Sequence, residues 1–233
     1  MMKKRCLIGS KYTEEIKELN DLGIETILLP LNKNLDEEIN NHADILSFKL
    51  NNDKLIIDSN AVGEINSKLK EYECIACCNI SSPYPADVKL NIAKIGNRII
   101  CNTKYVSEIV MQYAEKNNQE IVHTAQGYTK CSLCILSDNA VITEDVSLSS
   151  LLKKYQIDVL TIKPGYVTLS DKHFGFIGGA ACMISDKEMY FSGNISLHPD
   201  YCKIIEFLNK YGVKPVFNKN RVLRDFGGLI MLD

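Results

Sequence analysis

Four β-hairpins of similar make-up recur along this chain at nearly constant intervals. Ala43-Asp44-Ile45-Leu46 opens an apolar stretch that turns at Asn52-Asp53-Lys54 into a strand, Leu55-Ile56-Ile57-Asp58. Ala86 to Leu90 leads in the same way to a turn at Gly96-Asn97 and the strand Arg98-Ile99-Ile100-Cys101. Cys131 to Ser137 turns at Asp138-Asn139 into Ala140-Val141-Ile142-Thr143, and Gly179 to Ser185 turns at Asp186-Lys187 into Met189-Tyr190-Phe191. Asp, Asn and Gly suit tight hairpin turns because they tolerate left-handed backbone. Taken at Lys54, Asn97, Asn139 and Lys187, the turns lie 43, 42 and 48 residues apart.

A helical pattern follows each hairpin, and a third strand follows each helix. Apolar residues fall at helical spacing at Ile65 and Leu69, at Val106, Ile109, Val110 and Tyr113, at Leu148, Leu151 and Leu152, and at Ile204, Ile205 and Leu208. The third strands read Glu73 to Ala76, Glu120 to Thr124, Asp158 to Ile162 and Pro215 to Phe217. A fifth unit begins the chain: strand Arg5 to Gly9, helix Thr13 to Leu22, strand Glu25 to Leu29. It lacks only the first strand of its hairpin, and Gly227 to Leu232 can supply it, with Asp233 where the turn would fall. The pattern predicts an α/β fold of five ββαβ modules, a pseudo-fivefold ring closed by pairing of the terminal strands. Closure hides sheet edges. Residues 1–233 read as a single domain, with no linker or low-complexity segment. The alternative is an open α/β sandwich whose periodicity is accidental.

The charge balance narrows the partners. Net charge is −2, and the 27 basic residues divide into 23 Lys and 4 Arg. That is no electrostatic footprint for nucleic acid, and Arg, the residue suited to bidentate phosphate contacts, is scarce. The longest weakly polar run, Gly175 to Ile184, is far short of the roughly 20 residues a spanning helix needs, so no membrane partner is expected. Lys3-Lys4-Arg5 starts like a signal peptide, but Cys6 to Gly9 is too short an apolar core for one. Nine cysteines without an export signal read as reduced thiols in a cytoplasm. The oligomeric state is open.

Five ββαβ units around a central channel resemble the pentein, or α/β-propeller, superfamily. That fold serves both the guanidino-group-modifying enzymes and the archaeal and eukaryotic ribosome anti-association initiation factor. The chain also resembles a small, functionally uncharacterised bacterial family within it, through Gly127-Tyr128-Thr129-Lys130-Cys131, Gly175 to Gly179, His198-Pro199-Asp200 and Asp225-Phe226-Gly227-Gly228. The resemblance implies a site at the channel, with a Cys thiolate attacking a guanidinium carbon, carboxylates holding the cation and a His moving protons.

His42-Ala43-Asp44 resembles the His-x-Asp that opens a module in those enzymes, and strand alternation would turn both side chains to one face. Gly178-Gly179-Ala180-Ala181-Cys182 resembles the glycine-rich approach to their nucleophile; Gly178 and Gly179 would let substrate near the backbone. Cys182 otherwise reads as a buried core thiol. Asp87 occupies the place of Asp44 in the next repeat, and Asp87, Lys89 and Asn91 alternate with Val88, Leu90 and Ile92 to give one polar strand face for a cation. His173, just before the glycine-rich stretch, is a candidate acid–base. The candidate set is therefore Cys182, His42 and His173 for catalysis, with Asp44, Asp87, Gly178 and Gly179 for substrate. One departure stands out: those enzymes carry the Cys in the last module, directly after the His module, whereas here the last module reads Gly227 to Met231 without a Cys.

Cys74-x-x-Cys77-Cys78 and Cys131-x-x-Cys134 suggest zinc, but in a strand positions i and i+3 face opposite sides, so no metal and no cofactor is expected. Two classes of function remain. One is a Cys-dependent hydrolase or amidinotransferase acting on a guanidine or amidine in the channel. The other is a non-catalytic pentein that binds a small cation or a macromolecular partner.

Overall fold

A computed structural model describes residues 4–232; Lys3 and Asp233 lie outside the described residues. Module one comprises β1 (Arg5–Gly9), α1 (Thr13–Asp21) and β2 (Glu25–Leu29). Module two opens with a helical turn, α2 (Ala43–Leu46), then β3 (Ser47–Lys49), β4 (Lys54–Asp58), α3 (Val62–Lys68) and β5 (Glu73–Cys77). Module three is β6 (Ala93–Ile95), β7 (Arg98–Cys101), α4 (Glu108–Lys116) and β8 (Glu120–His123). Module four is β9 (Leu133–Ser137), β10 (Ala140–Thr143), α5 (Val146–Lys154) and β11 (Asp158–Thr161). Module five again opens with a helical turn, α6 (Ile177–Ala180), followed by β12 (Ala181–Ser185), β13 (Glu188–Phe191), α7 (Tyr201–Lys210) and β14 (Lys214–Phe217). The last strand, β15 (Ile230–Met231), returns to module one.

The result is five three-stranded sheets with one plan. In each, a middle strand pairs antiparallel with its hairpin partner and parallel with the strand after the helix. In module one the antiparallel partner is β15, with Cys6 opposite Met231 and Leu7 opposite Ile230. The pairing of terminal strands expected from the repeat is present. Neighbouring modules are tied by lysines: Lys94 Nζ donates to Leu50 O at 2.7 Å, Lys49 Nζ to Leu232 O at 2.6 Å and Lys4 Nζ to Ile184 O at 3.0 Å.

Burial explains why the middle strands are continuous apolar runs. All four residues of β10 are buried, as are Leu55–Asp58 of β4, because each middle strand has its own helix on one face and another module on the other. The third strands are less enclosed and more mixed in sequence. The helices bury one stripe each: Val110 and Ala114 of α4, Leu148 and Leu152 of α5, Ile204 and Leu208 of α7. Asp145 caps α5 by accepting from the amides of Ser147 and Leu148, and Gly212, at φ +67°, ends the turn after α7. No helix of the described residues is long and apolar enough to cross a membrane.

Three local expectations are corrected. Ala43–Leu46 and Ile177–Ala180 are single helical turns rather than the starts of strands. Four residues are too few to show a helical period, so an apolar run of this length reads as strand. Residues 86–92 form turns, not a strand with a polar and an apolar face; Pro83 and Pro85 immediately precede them. Gly227 and Gly228 sit at φ +72° and +59°, so the last strand begins only after them.

Candidate functional site

Each module is entered through a short irregular segment, and the five segments meet. Asp44 N, in the segment before β3, donates to Gly227 O at 3.1 Å. Gly228 N donates to Gly179 O at 2.9 Å, and Gly179 N to Cys131 O at 3.0 Å. Cys131 N donates to Asn91 Oδ1 at 3.2 Å, and Asn91 Nδ2 donates to Asp44 O at 3.3 Å. The cycle returns to its first residue after visiting all five modules. Glycine is required where the segments press together. A Cβ on Gly178 would lie 2.4 Å from Leu133 O, and one on Gly227 would lie 2.3 Å from His42 Cβ.

A cluster of titratable side chains sits on this junction. His42, Asp44 and Cys131 are buried, and one donor atom from each lies within 4.8 Å of the others. The Cys131 thiol donates to Asp44 Oδ2 at 3.0 Å, and Asn91 Nδ2 donates to Cys131 Sγ at 3.0 Å. Asp225 Oδ1 stands 3.8 Å from His42 Nδ1 and is itself held by the amide of Gly227. Its other oxygen accepts from Phe176 N at 2.9 Å. Glu144 reaches the same turn, accepting from Ile177 N at 3.3 Å. Both ring nitrogens of His42, Asp44 Oδ1 and Glu144 Oε1 are buried without a hydrogen-bond partner. Such atoms cost free energy unless something else satisfies them.

Burial sets the protonation states. It pushes His42 down to about 4, so the imidazole is neutral at pH 7. It pushes Asp44 up to about 7 against the opposing pull of Lys130. The Cys131 thiol is raised well above its ordinary value by burial and by the neighbouring Asp44 and Asp225 carboxylates. Lys130 donates Nζ to Gly178 O at 3.1 Å; burial disfavours its charge, but the Cys182 and Asp44 side chains outweigh that and raise it.

Two depressions flank the cluster. A cleft of about 480 Å³ is lined by Lys11, Tyr12, Glu38, Arg224 and Asp225 among others, with Asp225 leading to His42 behind it. A smaller cavity of about 140 Å³ is lined by Asp44 and three lysines, Lys49, Lys94 and Lys130, with Ser47 and apolar side chains.

The sequence candidates are distributed unevenly over this site. His42 and Asp44 are at its centre, positioned by a helical turn and not by strand alternation. Gly178 and Gly179 are in α6, where the close approach they allow is that of the protein's own Asp225, Leu133 and Lys130. His173 is exposed at the edge of the large cleft, its Nδ1 2.9 Å from the Glu38 carboxylate. Asp87 lies in a turn and accepts from the Tyr128 hydroxyl; Asp225, rather than Asp87, is the carboxylate beside Asp44. Cys182 is half-buried in β12 opposite Tyr190, its thiol 3.5 Å from Leu229 O. Among the described residues no hydrogen bond joins it to His42 or His173. Cys74 and Cys77 both belong to β5, as the objection to a zinc knuckle supposed, but of the second pair only Cys134 lies in a strand, β9; Cys131 sits in the turn before it, so for that pair the expectation is corrected. The sequence reading gave Glu144 no role, placed Asn91 only on a polar strand face, and met Cys131 and Asp225 only in stretches of family resemblance and Cys131 in a Cys-x-x-Cys pair. The signal that could have found Cys131 and Asp225 is their place just before the first strand of a module, a place that Asp44 also holds.

Glu144 supplies a pH test. Burial raises its carboxyl to about 7, from about 4.3 in an unfolded chain. The native state thus keeps a proton that the unfolded state releases in this window. Stability from this group is full below about pH 4 and is lost as pH rises to about 7. The stability difference between wild type and Glu144→Gln should therefore fall by up to about 1.4 kcal/mol per pH unit between pH ~4.5 and ~6.5. Urea unfolding of both proteins across that range measures it, and a difference independent of pH would contradict the assignment.

Solved structures share this architecture. DDAH from Pseudomonas aeruginosa, a mutant complexed with citrulline, superposes with a TM-score of 0.59 over 100% of this chain and 99% of that one, at 12% identity. An amidinotransferase of the saxitoxin pathway from Microseira wollei gives 0.58 over 89% of this chain and 73% of that one, at 10% identity. Agmatine deiminase from C. jejuni gives 0.55 over 93% and 86%, at 12% identity. At these identities the likeness is one of fold, and the fold is the pentein fold. No curated protein matches the chain. The family model that matches covers residues 7–230, and the chain belongs to that family, DUF6873, a family of unknown function.

Proposed function

We propose that this protein binds a guanidine or amidine cation at the junction of its five modules and modifies it through Cys131. The observation that carries the reading is the Cys131–Asp44 hydrogen bond, with His42 beside it and buried acceptors still unmatched. A planar cation reaching the site by way of Asp225 would meet the Asp225 and Asp44 carboxylates, which supply complementary charge. Its presence would also favour the thiolate of Cys131. In the first step the Cys131 sulfur bonds to the amidine carbon as its proton passes to Asp44, a group near neutral pKa and already hydrogen-bonded to the thiol. The C–N bond to the leaving amine then breaks, and the amine takes up the proton that Asp44 received. Water, or an acceptor amine, displaces the thiol in a second step. The named activities of the structural neighbours are of this class, which supports the reading. We place the nucleophile at Cys131 and not at Cys182 because Cys131 has the base.

The high pKa of the Cys131 thiol in the empty site favours a second reading, in which the cation is bound but not turned over. One experiment separates them. A panel of alkylguanidines and amidines is assayed for thermal stabilisation and for release of ammonia, amine or ureido product. Turnover should fall by at least about 10²-fold in Cys131→Ser and persist in Cys182→Ser. Stabilisation without product marks a binder, and neither effect with any compound removes both readings.

A further inference from the structure

The donor set at the junction fits a second kind of ligand. We propose that His42, Asp44 and Cys131 form a binding site for a single thiophilic divalent cation of the zinc type. Each side chain offers one ligating atom, these atoms already lie within 4.8 Å of one another, and all three residues are buried. At zinc bond lengths of about 2.0–2.3 Å, neighbouring donors are about 3–4 Å apart. The Cys131–Asp44 edge is at 3.0 Å, so closure asks mainly for a small movement of the imidazole.

The chemistry of the set is selective. An imidazole, a thiolate and a carboxylate together suit zinc, whereas magnesium and calcium prefer oxygen alone. Thiolate and carboxylate carry the two negative charges that a buried dication needs. One outer contact of the kind that holds a metal ligand is also present: Asn91 Nδ2 donates to Cys131 Sγ at 3.0 Å. The Asp225 carboxylate, 3.8 Å from His42 Nδ1, is beyond hydrogen-bond reach but places negative charge beside the ring. Asn91 is itself fixed, since its Oδ1 accepts from the amides of Lys130 and Cys131. A metal would satisfy an unmatched ring nitrogen of His42, while Asp44 would ligate through Oδ2, the oxygen already beside the thiol. Three protein ligands leave a fourth position for water or an exogenous group. The charge of Lys130 acts against binding, and the Asp225 carboxylate acts for it.

This site does not depend on amidine turnover: either can fail while the other stands. The test uses full-length protein stripped with a chelator and titrated with zinc, then with cobalt(II) as a spectroscopic probe. We expect one equivalent of zinc, and a cobalt complex with thiolate-to-metal charge transfer. The band should vanish in Cys131→Ser, with unchanged far-ultraviolet circular dichroism. It should survive in Cys182→Ser and in the combined Cys74→Ser, Cys77→Ser, Cys78→Ser variant. X-ray absorption of the wild-type zinc protein should show one sulfur at about 2.3 Å and the remaining ligands nitrogen or oxygen at about 2.0 Å. That measurement needs no variant to fold. Absence of stoichiometric binding, a charge-transfer band that outlasts Cys131→Ser, or a site with several sulfurs would overturn the proposal.

Discussion

Removal of residues 229–233 should abolish cooperative folding instead of fraying a tail. Exposed tails are trimmed without consequence, but the described part of this one, residues 229–232, is built into the first sheet. Leu229 and Leu232 are each only 2% exposed. Between them β15 supplies the antiparallel partner of β1, and Leu232 N donates to Arg5 O at 3.0 Å. Leu232 O in turn accepts from Lys49 and from the Tyr72 hydroxyl, both in module two. Truncating one buried leucine to alanine costs about 2–5 kcal/mol. Losing both, with the strand pairing and two inter-module contacts, approaches the roughly 5–15 kcal/mol that holds a typical domain together. Thermal unfolding followed by circular dichroism checks it. A sharp transition at the wild-type temperature would refute the role given to β15.

Asn91→Leu should be nearly as damaging although it adds apolar surface. The side chain of Asn91 makes four contacts at the junction: it donates to Asp44 O and Cys131 Sγ, and it accepts from the amides of Lys130 and Cys131. Leucine satisfies none of them. Each buried group left without a partner costs about 1–3 kcal/mol, so four of them put the expected loss at about 4 kcal/mol or more. Because Asn91 also positions Cys131, alkylation of that thiol should speed up in the variant under native conditions. Chemical denaturation gives the first quantity and peptide mapping after timed alkylation gives the second. A loss below about 1 kcal/mol with unchanged Cys131 labelling would show that the junction does not depend on this residue.

The modules were legible in the sequence because two local rules coincide there. Asp-Asn-Gly turns such as Asp138-Asn139 mark the hairpins, and periodicity marks helices as long as α7. The junction was less legible because its geometry is not periodic. His42 and Asp44 were found by motif, but the motif implied a strand where the chain makes one helical turn. Asp87 was chosen by its register with Asp44, yet four residues later Asn91 does the joining. Nothing local announces that, since its partners are 47 residues before it and 40 after it. Cys131 was visible as half of a Cys-x-x-Cys pair and as the end of a stretch of family resemblance, neither of which gave it a reaction, and Cys182 drew attention through its glycines. Those glycines serve close packing between segments, a need that appears only when all five are assembled.

The antiparallel pairing of β1 with β15 also has a consequence for synthesis. β1 leaves the ribosome long before β15 and must wait for it before its sheet is complete, and contacts of such sequence separation form slowly. Until then β1 presents an open edge, and the junction lacks the segment that carries Asp225 and Gly227. A nascent chain stalled before residue 225 should therefore expose pairing surface that the finished molecule hides, and be the form on which holding chaperones act.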